Sequence, residues 1–302
     1  MQTALQTVVQ MGGGLTADSA GAADHAHDGL SAGASRPRAA SATSGTSVQT
    51  PSTPMSVPVT VPSSPELAVE LAGIPVLVDN TFCTPYLQNP LELGADIVLH
   101  STTKYINGHS DVVGGAVLAR DESLVEELVW WANCLGLTGS PFDSYQTLRG
   151  LRTLSVRYAR HERNALAIAE FLEGNDLVRR VYYPGLRSHP GHGLARRQQK
   201  SFGAMISFEI DAGGEEVRRF LESLSLFTLA ESLGGVESLI AHPASMTHAA
   251  MSAEDQAAAG LSPKLLRLSV GIEHIDDLLA DLDTAFEALQ RSRTDRKVSS
   301  AA

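Results

Sequence analysis

Aromatic residues are missing from the first quarter of this 302-residue chain: no Phe, Trp or Tyr stands before Phe82. Aromatic side chains supply much of the buried area of a globular core, so their absence predicts that ordered structure begins near Leu67. Lysine is also scarce, present only as Lys104, Lys200, Lys264 and Lys297. Acidic residues outnumber basic ones 34 to 23, for a net charge of -11. A chain of that sign lacks the basic surface that a phosphate backbone requires, which excludes nucleic acid as the main partner. Cysteine is limited to Cys83 and Cys134. Their separation fits neither a metal-ligand spacing nor a disulfide framework, and a reducing, cytoplasmic setting is the expectation. No apolar run reaches the ~20 residues of a membrane span. The N-terminus also lacks the basic segment and apolar stretch of a secretory signal, so no membrane partner is expected.

What is present divides into blocks. Residues 1–65 are rich in Ala, Ser, Thr, Gly and Pro, and bury too little apolar surface to offset the entropy of ordering; they are expected to be disordered. From Leu67 the texture changes. Ile74–Asp79, Asp96–His100 and Ala116–Ala119 read as short buried strands, separated by a helical stretch at Pro90–Leu93 that Gly94 closes. Asp121 is placed to cap a helix from Glu122 to about Asn133. A long helical region then runs from Phe142 to Leu172, and Gly150 weakens its middle. Strands at Val178–Tyr183, Ala204–Ile210 and Leu265–Val270 alternate with helices at His192–Lys200, Glu215–Leu224 and Ile275–Leu289. The fold class is therefore α/β: a layered domain with a largely parallel sheet over 66–172 with a connecting helix, a smaller α/β domain over 173–291, and a disordered tail at 292–302.

Two residues stand where α/β proteins collect ligands, at the carboxyl ends of strands. Lys104 follows three hydroxyl residues in Ser101-Thr102-Thr103-Lys104. Its neutral amine is a nucleophile toward a carbonyl, and neighbouring hydroxyls can bind a phosphate. Asp79 ends the preceding strand, where a carboxylate can pair with a protonated ring nitrogen. On spacing alone such a lysine is more often a surface charge, and such an aspartate is equally a cap or a loop acceptor. His189 and His192 could be read as metal ligands but fit a loop and a helix start better, and no metal is expected. The pairs Gly114-Gly115 and Gly234-Gly235 lack the strand-to-helix spacing of a dinucleotide fingerprint.

The longer run is more specific. Val78-Asp79-Asn80-Thr81-Phe82, then Gly94-Ala95-Asp96-Ile97, then His100 through Asp111 resembles the cofactor motif of the Cys/Met-metabolism family of enzymes dependent on pyridoxal 5'-phosphate (PLP), which includes the cystathionine γ-synthases, cystathionine γ-lyases and methionine γ-lyases. The likeness continues through Leu137–Asp143, Leu148–Leu154, Tyr183–Leu186, Glu231–Gly235, His242–His248 and Leu266–Glu273, and covers roughly Ile74 to Leu289. It implies a PLP fold-type I architecture and a trans-sulfuration-type reaction on a small sulfur amino acid, by γ-elimination or γ-replacement. It implies that Lys104 carries the cofactor as a Schiff base and moves protons, that Asp79 pairs with the ring nitrogen, and that Ser101 and Thr103 hold the phosphate. Arg267 would clamp the substrate carboxylate, Ser232 would support it, and Glu231 would tune side-chain preference. Relatives form homotetramers.

The chain departs from that pattern upstream. Family members carry a glycine-rich phosphate loop, a ring-stacking tyrosine, an Asn-Pro pair and a Tyr-Xaa-Arg element before the position of Asp79. Here the first tyrosine is Tyr86 and the first asparagine is Asn80. Ser44-Gly45-Thr46 is a poor substitute for the loop, since no helical pattern follows it. The expectation is a fold incomplete at its N-terminal side, with impaired assembly. Two outcomes stay open at this point: an enzyme of the family, or a non-catalytic, partner-binding descendant of it.

Overall fold

A computed structural model describes residues 75–301 together with Val8 and Val9. The rest of the segment expected to be disordered, 1–65, lies outside the described residues. Val8–Val9 form a short strand, β1. Leu77–Asp79 form β2, followed by the one-turn helix α1 at Thr84–Leu87 and a 3-10 turn at Pro90–Leu93 that Gly94 ends with φ 101°. Strand β3 spans Ile97–Ser101 and β4 spans Gly115–Ala119. The sheet order is β1-β4-β3-β2.

Strands β2 and β3 are parallel, with Asp79 opposite Leu99. Strands β3 and β4 are antiparallel, with Ser101 opposite Gly115, and β1 is antiparallel to β4. The sheet expected to be largely parallel is therefore mixed among the described strands. The cause lies in the connection after Ser101. It makes no helical crossover of the kind that parallel neighbours need. The backbone N–H groups of Thr102 and Thr103 both donate to the Gly114 carbonyl, which folds the connection back on itself and returns β4 in the opposite direction.

Helix α2 covers Glu122–Cys134, and Asp121 caps it as expected by accepting from the Ser123 N–H at 2.8 Å. Helix α3 covers Pro141–Arg152, capped by Ser140, and α4 covers Leu154–Glu173. The interruption falls at Thr153 (φ -108°, ψ 4°), not at Gly150. Gly150 stays helical, and a Cβ there would lie 2.2 Å from the Asn107 carbonyl oxygen. The glycine thus serves a close approach to a neighbouring loop rather than a break.

The second sheet draws its strands from the C-terminal part of the chain: β5 at Val178–Tyr182, β6 at Met205–Ile210, β7 at Thr228–Leu229, β8 at Leu239–Ala241 and β9 at Leu265–Ser269. Its order is β5-β6-β9-β8-β7. Only the β7–β8 pair is parallel. Helices α5 (His192–Gln198), α6 (Gly214–Glu222), α7 (Ala253–Ala258) and α8 (Ile275–Ala301) complete it. Alternation along β6 buries Ile206, Phe208 and Ile210, the period of a strand with one covered face. The cover comes from α4, α6 and α8. Ile168 and Leu172 of α4, Phe220 of α6, and Leu282, Phe286 and Leu289 of α8 join one core with them. Full burial of each such side chain is worth roughly 1.5–3 kcal/mol.

Helix α8 runs on to Ala301, through the tail expected to be disordered beyond 291. No Gly or Pro stops it. Arg293 ties it to the body of the chain, donating to the Asp211 carbonyl and to the carboxylate of Glu216.

Candidate active site

Lys104 sits just past the C-terminal end of β3, in the turn Thr102–Ile106, which kinks at the lysine itself (φ -89°, ψ -134°). The lysine Nζ donates to the Ser232 hydroxyl at 2.8 Å. Ser232 has φ 88°, a left-handed backbone that costs a non-glycine residue energy and that clusters at ligand sites. Its carbonyl accepts from Arg267 Nη2 at 2.9 Å. Three of the residues named from the sequence, Lys104, Ser232 and Arg267, therefore form one chain of contacts, although they come from the turn after β3, the loop after β7, and β9.

Charge is shared across this group. Partial burial lowers the Lys104 pKa, and the guanidinium of Arg267 lowers it further. Both effects favour the neutral, nucleophilic amine. Burial also lowers the pKa of Arg267, opposed by the carboxylate of Glu231. Glu231 thus belongs electrostatically to the same crevice, although it is exposed.

Asp79, Ser101 and Thr103 line the neighbouring strand ends. Asp79 accepts from the Thr81 N–H at 2.9 Å and bears on His100, whose pKa burial drives down to about 4 while the Asp79 charge pulls it partly back up. No hydrogen bond joins Asp79 to Lys104 among the described residues. Thr103 Oγ1 accepts from the Gly114 N–H at 3.0 Å and donates to its carbonyl at 3.3 Å, so it braces the turn in this structure. The Ser101 N–H donates to Thr81 Oγ1 at 2.8 Å.

Several participants escaped the sequence reading. Thr81 joins the ends of β2 and β3 through that bond to Ser101. Gly234 (φ 79°) lets the Ser232 loop lie on the lysine turn, since a Cβ there would meet the Tyr105 backbone nitrogen at 2.7 Å. The pair Gly234-Gly235 was the only signal of that approach. Tyr105 is fully buried, its ring 4.8 Å from that of Tyr158. His192 stacks on Phe202 and contacts the Pro184 carbonyl through Nδ1. A cavity of about 210 Å³ opens elsewhere, beside β5, between Glu173, Arg179, Arg180, Tyr182 and His189; it shares no residue with the Lys104 crevice.

The family model for Cys/Met metabolism PLP-dependent enzymes matches residues 18–287. This chain belongs to that family. The match begins at residue 18, well before Ile74, and so takes in much of the segment expected to be disordered. Cystathionine gamma-synthase of Escherichia coli is 57% identical over 244 residues, covering 81% of this chain and 63% of that protein. Cystathionine gamma-lyase of Dictyostelium discoideum is 53% identical over 219 residues, covering 72% of this chain and 57% of that protein. A crystal structure of cystathionine gamma synthase from Xanthomonas oryzae pv. oryzae in complex with cystathionine superposes with a TM-score of 0.73 at 64% identity, over 74% of this chain and 58% of that one. The chain thus spans less than two thirds of the length of these relatives.

The family's cofactor is PLP, and the residues present fit part of it. An amine of lowered pKa stands at a strand end, hydroxyls precede it, and the Arg267 Nε and Thr102 Oγ1 atoms are buried with no hydrogen-bond partner. Unpaired buried polar atoms are costly and point to a missing ligand or water. This donor set suits the aldehyde and carboxylate side of a cofactor–substrate pair.

Proposed function

We propose that this chain carries a PLP-dependent site that acts on a small sulfur amino acid by elimination or replacement at its γ-carbon, in the manner of a cystathionine γ-lyase or γ-synthase. The observation that carries the reading is the contact between Lys104 Nζ and Ser232 Oγ at 2.8 Å, with the Ser232 carbonyl held by Arg267. The amine and the guanidinium thus meet at one serine, which supports reading them as partners of one small molecule. The names of the related synthase and lyase support the same reaction class.

PLP, when bound, supplies the electron sink that lets protons leave the α- and β-carbons of an amino acid. Everything else falls to the chain. Lys104 would hold the cofactor through its amine, whose lowered pKa favours the nucleophilic form, and its Nζ would take and return protons at the substrate carbons. Arg267 would receive the substrate carboxylate in the planar fork that suits two parallel hydrogen bonds. Ser232, bonded to both, would keep Lys104 and Arg267 in register. Asp79 would hold the ring nitrogen, Ser101 and Thr103 the phosphate, and Glu231 would bear on the substrate side chain.

The test is a titration of the purified chain with PLP, followed by visible absorbance, with Lys104→Ala as control. A Schiff-base band in the native chain, lost in the variant, supports the reading and leads to γ-elimination assays. No band in a chain shown by circular dichroism to be folded sinks it, and leaves a descendant of the family that binds a partner without catalysis.

A further inference from the structure

Arg157, in the first turn of α4, is only 6% exposed and pairs with no carboxylate among the described residues. Its guanidinium instead donates to the Tyr105 carbonyl at 2.9 Å, the Ile106 carbonyl at 3.2 Å and the Gly150 carbonyl at 2.8 Å. Its Nε donates to Thr153 Oγ1 at 3.1 Å. A buried cation without a counter-ion costs free energy that only well-aimed dipoles offset. A guanidinium stays charged in any protein, so the carbonyls must keep their aim.

Two of those carbonyls belong to the turn that presents Lys104. The turn has no helix to continue into, because the chain leaves it at Gly108 with φ 75°. The carbonyls that a following helical turn would satisfy are left facing α4. Arginine's fork spans two consecutive carbonyls, which an ammonium cannot do in one plane. Gly108 makes room for the guanidinium, and Gly150 for the loop backbone that it holds. A Cβ on Gly108 would lie 2.1 Å from Arg157 Nη1, and one on Gly150 would lie 2.2 Å from the Asn107 carbonyl oxygen.

We propose that Arg157 is a positioning residue: its guanidinium stands in for the missing helical turn and fixes the backbone after Lys104, so that α4 holds the lysine amine against Ser232. The proposal rests on the reading of Lys104 as the reactive amine, but its test needs no cofactor. Competitive labelling of the cofactor-free chain with acetic anhydride across pH, read by peptide mass spectrometry, gives the titration midpoint of Lys104, with the other lysines as internal references. Hydrogen exchange reports the Asn107 and Gly108 amides, which donate to the Thr102 and Lys104 carbonyls.

In Arg157→Met the Lys104 midpoint rises toward the ordinary lysine value, and the two amides lose protection relative to the β6 amides. Arg157→Lys restores neither. Thr153→Val removes the hydroxyl that receives Nε and that itself donates to the Gly150 carbonyl at 3.1 Å, leaves the guanidinium in place, and moves both readouts the same way by a smaller amount, which keeps the test open if Arg157→Met fails to fold. A folded Arg157→Met chain with an unmoved Lys104 midpoint and protected amides overturns the proposal. That failure differs from failure of the functional reading, which appears as a native chain with no PLP band.

Discussion

Lys104 and Ser232, 128 residues apart in sequence, meet through one hydrogen bond from Nζ to Oγ, and the serine that receives it holds its backbone at φ 88°. The contact and the unfavourable backbone are two sides of one arrangement: the loop is bent into a conformation suited to glycine so that a hydroxyl can face the lysine.

Replacing Ser232 separates the two. Ser232→Ala keeps the unfavourable φ and loses the hydroxyl, whereas Ser232→Gly loses the hydroxyl and relieves the backbone. The glycine variant is expected to be the more stable of the pair by about 1 kcal/mol, strain relief outweighing the added entropy of its unfolded chain. Both variants lose PLP capture relative to native protein. Urea melts check the first statement and visible absorbance the second; an alanine variant more stable than the glycine variant contradicts the strain argument.

Acid weakens this fold through two histidines. Burial drives both His100 and His161 down to about 4, from an ordinary 6.5. Each is neutral in the folded chain and takes up a proton more readily once unfolded. Stability is therefore complete above about pH 6.5, falls as pH drops toward 4, and levels off below that, with each histidine costing on the order of 3 kcal/mol. Denaturation at pH 7, 5.5 and 4 measures the slope. His161→Gln, which keeps a group able to donate to the Val270 carbonyl that His161 contacts at 2.7 Å, removes about half of it. A flat profile from pH 7 to 4 rules the account out.

Asp281 of α8 accepts three successive backbone N–H groups, from Ser225 at 2.8 Å, Leu226 at 2.9 Å and Phe227 at 3.1 Å. Asp281→Ala leaves them without an acceptor in a largely buried setting, at an expected cost of about 2–4 kcal/mol. A shift of the denaturation midpoint at unchanged slope is the signature. A loss below half a kilocalorie would show that water replaces the carboxylate freely.

Arg267→Lys keeps the charge and loses the fork. In a chain that turns over a sulfur amino acid, KM is expected to rise about 10- to 100-fold, the loss of one charge-assisted hydrogen bond, with a smaller change in kcat. Steady-state kinetics decide it. An unchanged KM removes Arg267 from the substrate site.

Helices α2 and α3 expose Trp130, Trp131, Phe142, Tyr145 and Leu148, apolar residues of the sort that monomers keep covered. The purified chain is expected to self-associate into polydisperse species, and Trp130→Gln with Phe142→Ser to reduce this. Light scattering that returns a single sharp tetramer refutes the expectation of altered assembly.

Much of the site was legible in the sequence, but unevenly and for different reasons. Lys104, Ser232 and Arg267 were found because whole motifs resemble a family; their separation along the chain gives no hint that they meet. Strand β6 was readable from its alternation, whereas β7 and β8, of two and three residues, are too short to show a period. Gly150 looked like a weakness in a helix, because sequence registers the missing side chain and not the Asn107 carbonyl that fills its place. Arg157 was invisible. It stands three residues before Arg160 and six before Arg163, a spacing that reads as the solvated face of a helix, and its burial depends on Gly108, distant in the chain. The contact that holds α8 past residue 291, Arg293 with Asp211 and Glu216, is tertiary, and nothing local in the sequence announces it.

Helix α4 serves two neighbours at once. Ile168 and Leu172 lie in the core beneath the second sheet, while Arg157, at its other end, grips the turn that follows β3. The helix works as a shared rod, so neither sheet can come apart without loosening what the other depends on. On heating, the two sheets are therefore expected to melt in one transition rather than one after the other, and calorimetry that resolves two separate transitions would speak against this link.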